Sequence, residues 1–556
     1  MGKTRPMDDK TRDHSLPKGR QVEDAALAEV AMMLGDLPRR RDMLIEALHA
    51  IQDQAGFLAA RHLAALAEMF RLSQAEVYEV ASFYHHFDIV KEGERAPAPL
   101  TIRICDGLSC EMAGAGGLLD RLRDTTDATR VRIMNVPCIG RCDKAPAAQV
   151  GKRAVDNASL ERIIEATLDA HEPAVPDYET LEAYRSVQGY QILARVRSGE
   201  LDAAAAIEIM SDAGLRGLGG AGFPAGRKWQ IVRSFDGPRL MTVNADEGEP
   251  GTFKDRFWLE SSPHRMLEGA LIAAHVVGCA RIYIYLRDEY PAARMILTHE
   301  IAALEEAGML SIPIELRRGA GAYICGEESA MIESMEGKRG LPRHRPPYIA
   351  EKGLFGRPTL NHNVETLSWV PDILRNGARW FAEQGQKDHP GLRSYSVSGR
   401  VAKPGVVLAP AGITVTQLIE NFCGGMAQGH EFKAFLPGGA SGGIFPASMA
   451  DMALDFGTFE PHGGFVGSHA LVVLSQHDSV RAAALNTMRF FAHESCGQCT
   501  PCRAGTERLV QLLQQPDRPL MEELVQVMAD ASICGLGQAA GNCVTHLIRY
   551  FPEELA

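Results

Sequence analysis

The chain has 556 residues, 46% of them hydrophobic and 23% charged, and a formal net charge of −12. That length exceeds one hydrophobic core and calls for several domains, while the acidic balance argues against a nucleic-acid partner because no basic surplus exists to neutralise phosphates. No apolar run approaches the ~20 residues a membrane helix needs, and the charged start MGKTRPMDDK lacks the apolar centre of an export signal, so the expectation is a cytoplasmic protein without direct membrane insertion.

After that solvated tail, residues 24 to 87 carry apolar positions at helical spacing, with QDQAGF as a turn. Ser73 and Glu76 have the spacing of a capping box that opens a helix. KEGERAPAP reads as a linker. LTIRIC and VRIMNV read as strands that each lead to a cysteine, with a helix over GGLLDRLRD between them. From about residue 201 to 376, the strands RLMTVNAD, ARIYIYL and SIPIEL alternate with helices over RMLEGALIAAHVV and PAARMILTHEIAALEEAG. This alternation predicts a parallel α/β sheet with ligand-binding turns at its carboxyl edge. YSVSGRV, GVVLAP and ALVVLS predict a small β-rich module, and the last 75 or so residues return to helical spacing.

Twelve cysteines are too sparse for a disulfide scaffold, and eight of them form two groups. Cys496, Cys499 and Cys502 follow the C-x2-C-x2-C pattern of a ferredoxin ligand run. Cys534, between two helical stretches, is a better fourth ligand than Cys543. Zinc is the alternative, although its sites more often use two separated cysteine pairs; the tight triplet favours [4Fe–4S]. Cys105 and Cys110 (C-x4-C) with Cys138 and Cys142 (C-x3-C) suit a [2Fe–2S] centre, two thiolates per iron, with a zinc knuckle as the alternative. Cys279 and Cys325 read as packing residues, Cys423 and Cys543 have no partner pattern, and His85 and His86 read as surface or capping residues, with a metal site as the alternative.

Three further segments point to a flat, hydroxyl-rich cofactor. GLRGLGGAGFPAGRKW places Gly217, Gly219, Gly220 and Gly222 before Phe223 and Lys228, so that backbone amides can approach a phosphate or a ring, with a plain flexible turn as the alternative. NADEGEPGTFKDR crowds Asn244, Asp246, Glu247 and Glu249 at a strand end, where mutually repelling carboxylates rarely serve stability; they suit ribityl or ribose hydroxyls, or a hard cation such as magnesium. RGAGAYICGEESAM sets Tyr323, Gly326, Glu327 and Glu328 where a glycine turn opens a helix. Phosphate alone would not want those glutamates; ribose or ribityl hydroxyls would.

Together with LNHNVETL and ESCGQCTPCRAGTERL, these motifs resemble the FMN- and NADH-binding subunit of respiratory complex I, fused behind its thioredoxin-like [2Fe–2S] partner subunit. Such fusions are similar to the beta (diaphorase) subunits of soluble NAD-dependent formate dehydrogenases and NAD-reducing hydrogenases. The resemblance implies a multidomain α/β fold. Its expected parts are a disordered tail (1–23), an N-terminal helical bundle (24–95), a thioredoxin-like [2Fe–2S] domain (96–175), a Rossmann-like FMN/NADH domain (176–390), a β-grasp, SLBB-like module (391–476) and a C-terminal four-helix bundle with the [4Fe–4S] cluster (477–556). It also implies that Gly217, Gly219, Gly220, Gly222, Lys228, Asn244, Asp246, Glu247, Tyr323, Gly326, Glu327, Asn363 and Thr366 hold FMN. NAD(H) would meet Phe223, Glu249, Glu328, Arg345 and Tyr348. Arg345 stands where the family often has lysine, and His362 where asparagine is frequent. No side chain is expected to act as acid or base, because hydride passes between nicotinamide and flavin. The expected partner is a catalytic alpha subunit with a molybdopterin site, molybdenum or tungsten, and further iron–sulfur clusters. The alternatives are the same subunit in a NAD-reducing hydrogenase or a complex I-like NADH dehydrogenase, and, in another class, a cofactor-free scaffold that keeps the fold.

Overall fold

The computed structural model describes residues 20–168 and 172–555, so most of the tail expected over residues 1–23 lies outside the described residues. The chain divides into two compact units, one formed by residues up to 83 with 87–97, the other by residues 84–86 with 98–556.

The first unit is helical: α1 (Asp24–Leu34), α2 (Leu44–Ala55), α3 (Ala60–Phe70) and α4 (Gln74–Phe83). α2 runs through the expected turn and stops only at Gly56. The capping box forms as read: the Glu76 amide donates to the Ser73 hydroxyl at 3.2 Å, and the Ser73 amide donates back to the Glu76 carboxylate at 2.9 Å.

The second unit begins with β1 (Leu100–Cys105), α5 (Leu108–Met112), α6 (Ala115–Thr125), β2 (Val131–Val136), β3 (Ala148–Val150), β4 (Arg153–Val155) and α7 (Leu160–Leu168). Its sheet has the order β2-β1-β3-β4, with β1 and β2 parallel and both cysteine pairs following their carboxyl ends. The short strands β3 and β4 carry too little alternation to be seen in the sequence.

The α/β domain expected to hold the flavin follows: α8 (Ala225–Arg233), β5 (Arg239–Ala245), α9 (Lys254–Ser261), α10 (Pro263–Val277), β6 (Cys279–Leu286), α11 (Pro291–Glu306), β7 (Ile314–Arg318), α12 (Glu328–Met335) and β8 (Thr359–Asn363). The sheet order is β8-β5-β6-β7 and every pairing is parallel. α10 buries nearly its whole length in the core over this sheet. That explains its continuous apolar run, each large side chain being worth roughly 1.5–3 kcal/mol on burial. The chain moves outward from β5 to β6 and β7, then returns to place β8 on the other side of β5. Diverging connections of this kind open a crevice at the carboxyl ends of the strands. Register puts Asn244 of β5 opposite Asn363 of β8 at that edge.

Next come β9 (Leu392–Gly399), β10 (Gly405–Pro410), α13 (Val415–Phe422), β11 (Phe432–Ala440), β12 (Phe445–Pro446) and β13 (Ala470–Ser475), in the sheet order β10-β9-β13-β11-β12. α13 packs its apolar face into the core of this module. The C-terminal region contains the long helices α14 (Val480–Glu494), α15 (Thr500–Gln514), α16 (Arg518–Ala531) and α17 (Asn542–Tyr550). No helix among the described residues is long and apolar enough to cross a membrane.

Candidate functional site: a nucleotide crevice between two cysteine tetrads

Cys105, Cys110, Cys138 and Cys142 are all buried. The Cys138 and Cys142 sulfurs lie 3.3 Å apart, and the Gly140 amide points at Cys138 Sγ at 3.4 Å. A Cβ on Gly107 would stand 3.4 Å from Cys138 Cβ and 3.5 Å from Cys105 Sγ, so the loop after β1 closes directly on the second pair. Hydrogen bonds from the Cys105 and Cys142 thiols, together with the nearby Arg287 guanidinium, hold the Cys138 thiol well below its ordinary range. Four convergent thiols with one already inclined to thiolate suit a soft metal centre.

The second tetrad gathers around a small pocket lined by Cys496, Cys499, Cys502 and Cys534 with Ile324, Pro342 and Leu536. Cys499 is the N-cap of α15 and Cys502 sits in its first turn, so the triplet spacing wraps the chain round the pocket as the helix starts. Desolvation pushes the thiols of buried Cys502 and half-buried Cys534 up to about 11 and about 12; metal binding would have to displace those protons. Cys543 lies elsewhere, donating to the Ala440 carbonyl at 3.2 Å. Cys325 is buried beneath the crevice, where burial raises its thiol above the ordinary range.

The strand-end crevice adjoins both tetrads: Arg287 joins the Cys138 and Glu247 carbonyls, and Ile324, next to Tyr323, lines the second pocket. The glycine loop folds on itself, with the Gly217 amide donating to the Phe223 carbonyl at 2.8 Å and the Leu218 amide to Thr366 Oγ1 at 2.9 Å. Gly222 has φ +64°, and a Cβ there would come within 2.7 Å of Phe456, so no other residue is accommodated at that bend. Lys228, its pKa lowered by burial, donates to the Asn361 carbonyl at 3.1 Å. Phe223 remains 38% exposed between Arg227 and Lys228, each about 6.0 Å from its ring centre. His362 accepts the Trp229 indole N–H at 2.8 Å and is packed in the core.

The acidic residues separate by role. Asn244 donates to the Gly326 carbonyl at 2.8 Å, tying the first strand end to the third motif. Asp246 Oδ2 is buried without a hydrogen-bond partner among the described residues, and desolvation raises its carboxyl well above the usual range. Glu247 turns inward to accept the Asp255 and Arg256 amides at 2.8 and 3.0 Å at the start of α9, and the Tyr290 hydroxyl at 2.9 Å. Glu249 accepts from the Ser441 amide and hydroxyl at 2.7 and 2.8 Å and from the Tyr323 hydroxyl. Glu327 caps α12, accepting the Ser329 and Ala330 amides, while Arg345 pairs with Glu327 and, at 3.2 Å, with Glu328. Arg345 also lies 6.0 Å from the ring of Tyr348, which is 57% exposed. Asn363 Oδ1 caps the helix that carries Thr366 and accepts from Lys254 Nζ at 3.3 Å.

These residues fit FMN. The glycine loop, the Lys228 ammonium, an Asp246 oxygen without a partner among the described residues and the asparagines opposed on β5 and β8 offer the kind of donors and acceptors FMN requires, and Phe223 and Tyr348 leave their rings exposed. Residue-type arguments missed Lys254, wholly buried between Asp255 (2.9 Å) and Glu365 (3.0 Å). They also missed Arg256 and Arg287, which reach the Cys138–Cys142 loop. The run FKDR, with two cations beside an acidic strand end, was the available signal for Lys254 and Arg256; Arg287 offered none.

The chain is similar in sequence and fold to known proteins. Residues 30–170 match the thioredoxin-like [2Fe–2S] ferredoxin family, 210–372 the Nuo51 FMN-binding domain, 394–445 the SLBB domain, and 482–556 the NADH-ubiquinone oxidoreductase-F iron–sulfur binding region. The F 2 subunit of the NADH-quinone oxidoreductase of Rhizobium meliloti (strain 1021) is 39% identical over 398 residues, covering 68% of this chain and 94% of the relative. The mitochondrial NADH dehydrogenase [ubiquinone] flavoprotein 1 of Dictyostelium discoideum is 40% identical over 371 residues, 63% of this chain and 78% of its own length. A crystal structure of an air-oxidised NAD+-reducing [NiFe]-hydrogenase superimposes with a TM-score of 0.82 at 33% identity, covering 94% of both chains.

Proposed function

The chain belongs to the family of NADH-oxidising flavoprotein subunits of the complex I and NAD-reducing hydrogenase type, with FMN, one [2Fe–2S] and one [4Fe–4S] cluster, and from that premise we propose that it is the diaphorase subunit of a cytoplasmic NAD-dependent formate dehydrogenase. The diaphorase part of this reading is supported by both cysteine tetrads and the strand-end motifs lying within one compact unit; the formate partner rests on the motif resemblance alone. A molybdenum or tungsten catalytic subunit would oxidise formate, and this chain would deliver the electrons to NAD+.

Bound FMN supplies hydride exchange with nicotinamide and single-electron exchange with clusters. The chain's own residues supply placement. Gly217, Gly219, Gly220 and Gly222 let the backbone approach the ring and phosphate, Lys228 offers the phosphate a cation, and Asn244, Asp246, Asn363 and Thr366 hold the polar edge. Tyr323, Gly326 and Glu327 close the crevice from the third motif, and Glu247 supports it from below by fixing α9. Phe223 and Tyr348 give the dinucleotide aromatic faces, with Glu249, Glu328 and Arg345 at its polar groups. Cys105, Cys110, Cys138 and Cys142 hold the [2Fe–2S] cluster, and Cys496, Cys499, Cys502 and Cys534 the [4Fe–4S] cluster.

A diaphorase of a NAD-reducing hydrogenase is the second reading, favoured by the 94% mutual coverage with the hydrogenase structure. Metal analysis of the native complex, purified through a tag on this chain, separates the two. Molybdenum or tungsten with formate-dependent NAD+ reduction supports the first reading; nickel with hydrogen-dependent reduction replaces it. At residue level, Glu249→Ala should raise KM for NADH about tenfold, the cost of roughly one charged hydrogen bond, and keep the flavin absorbance. Loss of flavin instead would move Glu249 to the FMN set.

A further inference from the structure

Two arginines of the flavin-type domain enter the loop between Cys138 and Cys142. Arg256 donates from Nε to the Gly140 carbonyl at 2.9 Å and from Nη2 to Asp143 at 3.0 Å, and its third nitrogen meets Glu260 at 3.0 Å. Two carboxylates therefore offset its charge. Arg287, just beyond β6, is placed differently. Its Nη2 donates to the Cys138 carbonyl at 2.7 Å, and its Nη1 to the Glu247 carbonyl. One guanidinium thus spans a cysteine of the first tetrad and the acidic turn at the flavin crevice. It is 5% exposed, lies 4.9 Å from the Tyr290 ring centre, and among the described residues has Glu289 as its carboxylate partner at 3.2 Å.

We propose that Arg287 sets the reduction potential of the [2Fe–2S] centre and ties that centre to the flavin turn, acting as a positioning and tuning residue rather than a catalytic one. The proposal rests on the reading that Cys105, Cys110, Cys138 and Cys142 hold that cluster. Uptake of one electron there adds one negative charge. A fixed cation beside a ligand stabilises the reduced form more than the oxidised form, and burial keeps the interaction from being screened. Net charge and hydrogen bonding near the sulfurs are the levers that move such potentials. Arg287 keeps its charge at every working pH, because guanidinium does not deprotonate in proteins. The effect is therefore permanent, and the guanidinium carries it to the turn next to Asp246.

The test is an EPR-monitored redox titration of the purified native complex. A [2Fe–2S] signal must appear on reduction of the unaltered protein; its absence refutes the ligand reading, independently of Arg287. Arg287→Gln should lower the midpoint, with the oxidised-to-reduced ratio at a fixed potential rising about tenfold, or about 59 mV for one electron. Arg287→Lys, which keeps the charge, should recover most of that shift. A wild-type midpoint in Arg287→Gln overturns the proposal, as do equal shifts in the Gln and Lys variants. If Arg287→Gln fails to load the cluster, Glu289→Gln decides. Removing the counter-charge should raise the midpoint, and an unchanged midpoint overturns the proposal.

Discussion

The two cysteine tetrads use the same ligand atom in opposite surroundings. Around Cys105, Cys110, Cys138 and Cys142 every thiol is buried, and guanidiniums from a different domain fix the loop carbonyls. Around Cys496, Cys499, Cys502 and Cys534 only Cys502 is buried, and the pocket walls are largely apolar side chains and helix starts. The first site is braced by polar contacts from distant charged side chains, the second by largely apolar walls drawn from its own helices together with Ile324 and Pro342. Charge-changing substitutions far along the chain should therefore reach the first site and leave the second in place.

Removing one ligand from each tetrad gives the largest contrast. Cys502→Ala should lose about four irons per chain and Cys138→Ala about two, each leaving the other cluster's EPR signal in place. Cys543→Ala should leave iron content unchanged, since its thiol bonds to a backbone carbonyl away from both tetrads. Iron assay with EPR checks all three.

A lesion in the loop between Cys138 and Cys142, where it meets Tyr290, should separate the sites next. Gly140 has φ +72°, and a Cβ there would lie 2.1 Å from the Tyr290 hydroxyl. Gly140→Ala should cost about 3 kcal/mol from backbone strain and overpacking. Thermal unfolding would show the loss, and the [2Fe–2S] signal should fall while the [4Fe–4S] signal stays.

The pH responses should also diverge. On α17, His546 accepts the Ile444 amide at 3.1 Å through Nδ1 and donates through Nε2 to the His462 carbonyl at 3.1 Å, joining the C-terminal region to the β-rich module. Burial lowers its pKa to about 4. The folded state therefore refuses a proton that the unfolded chain accepts below about 6.5. The stabilisation is complete above that value and declines as pH falls toward 4, by at most about 1.4 kcal/mol per unit. Melting curves between pH 7 and 4.5 should show this slope, and His546→Phe should flatten it. The arginines at the Cys138 loop do not titrate in that window and contribute no such slope.

The smallest effect belongs to the helical unit. Ser73→Ala removes one half of the capping box of α4 and should cost about 1 kcal/mol, read as a lower midpoint in chemical denaturation. Neither cluster signal should change.

Much of this protein was legible from its residues. The strands over LTIRIC, RLMTVNAD and ARIYIYL, the capping box at Ser73, and both sets of clustered cysteines depend on local spacing and alternation, which a linear chain carries openly. The motif resemblance led to FMN, NADH and both cluster types, which the family matches support. β8 was hidden because its sequence, TLNHN, is polar for a strand; its burial comes from lying beside β5. The acidic strand end shows the same limit. Asn244, Asp246, Glu247 and Glu249 are neighbours in sequence, yet one ties down Gly326, one leaves a buried oxygen unpaired, one caps α9 and one meets Ser441. Sequence alone determined which chemistry the chain can hold, because ligand types and their spacing are properties of short segments. Tertiary structure alone decided how each centre is braced, because the Arg287 contact joins residues 149 positions apart, and only packing brings a cation, a carbonyl and a buried thiol to one point.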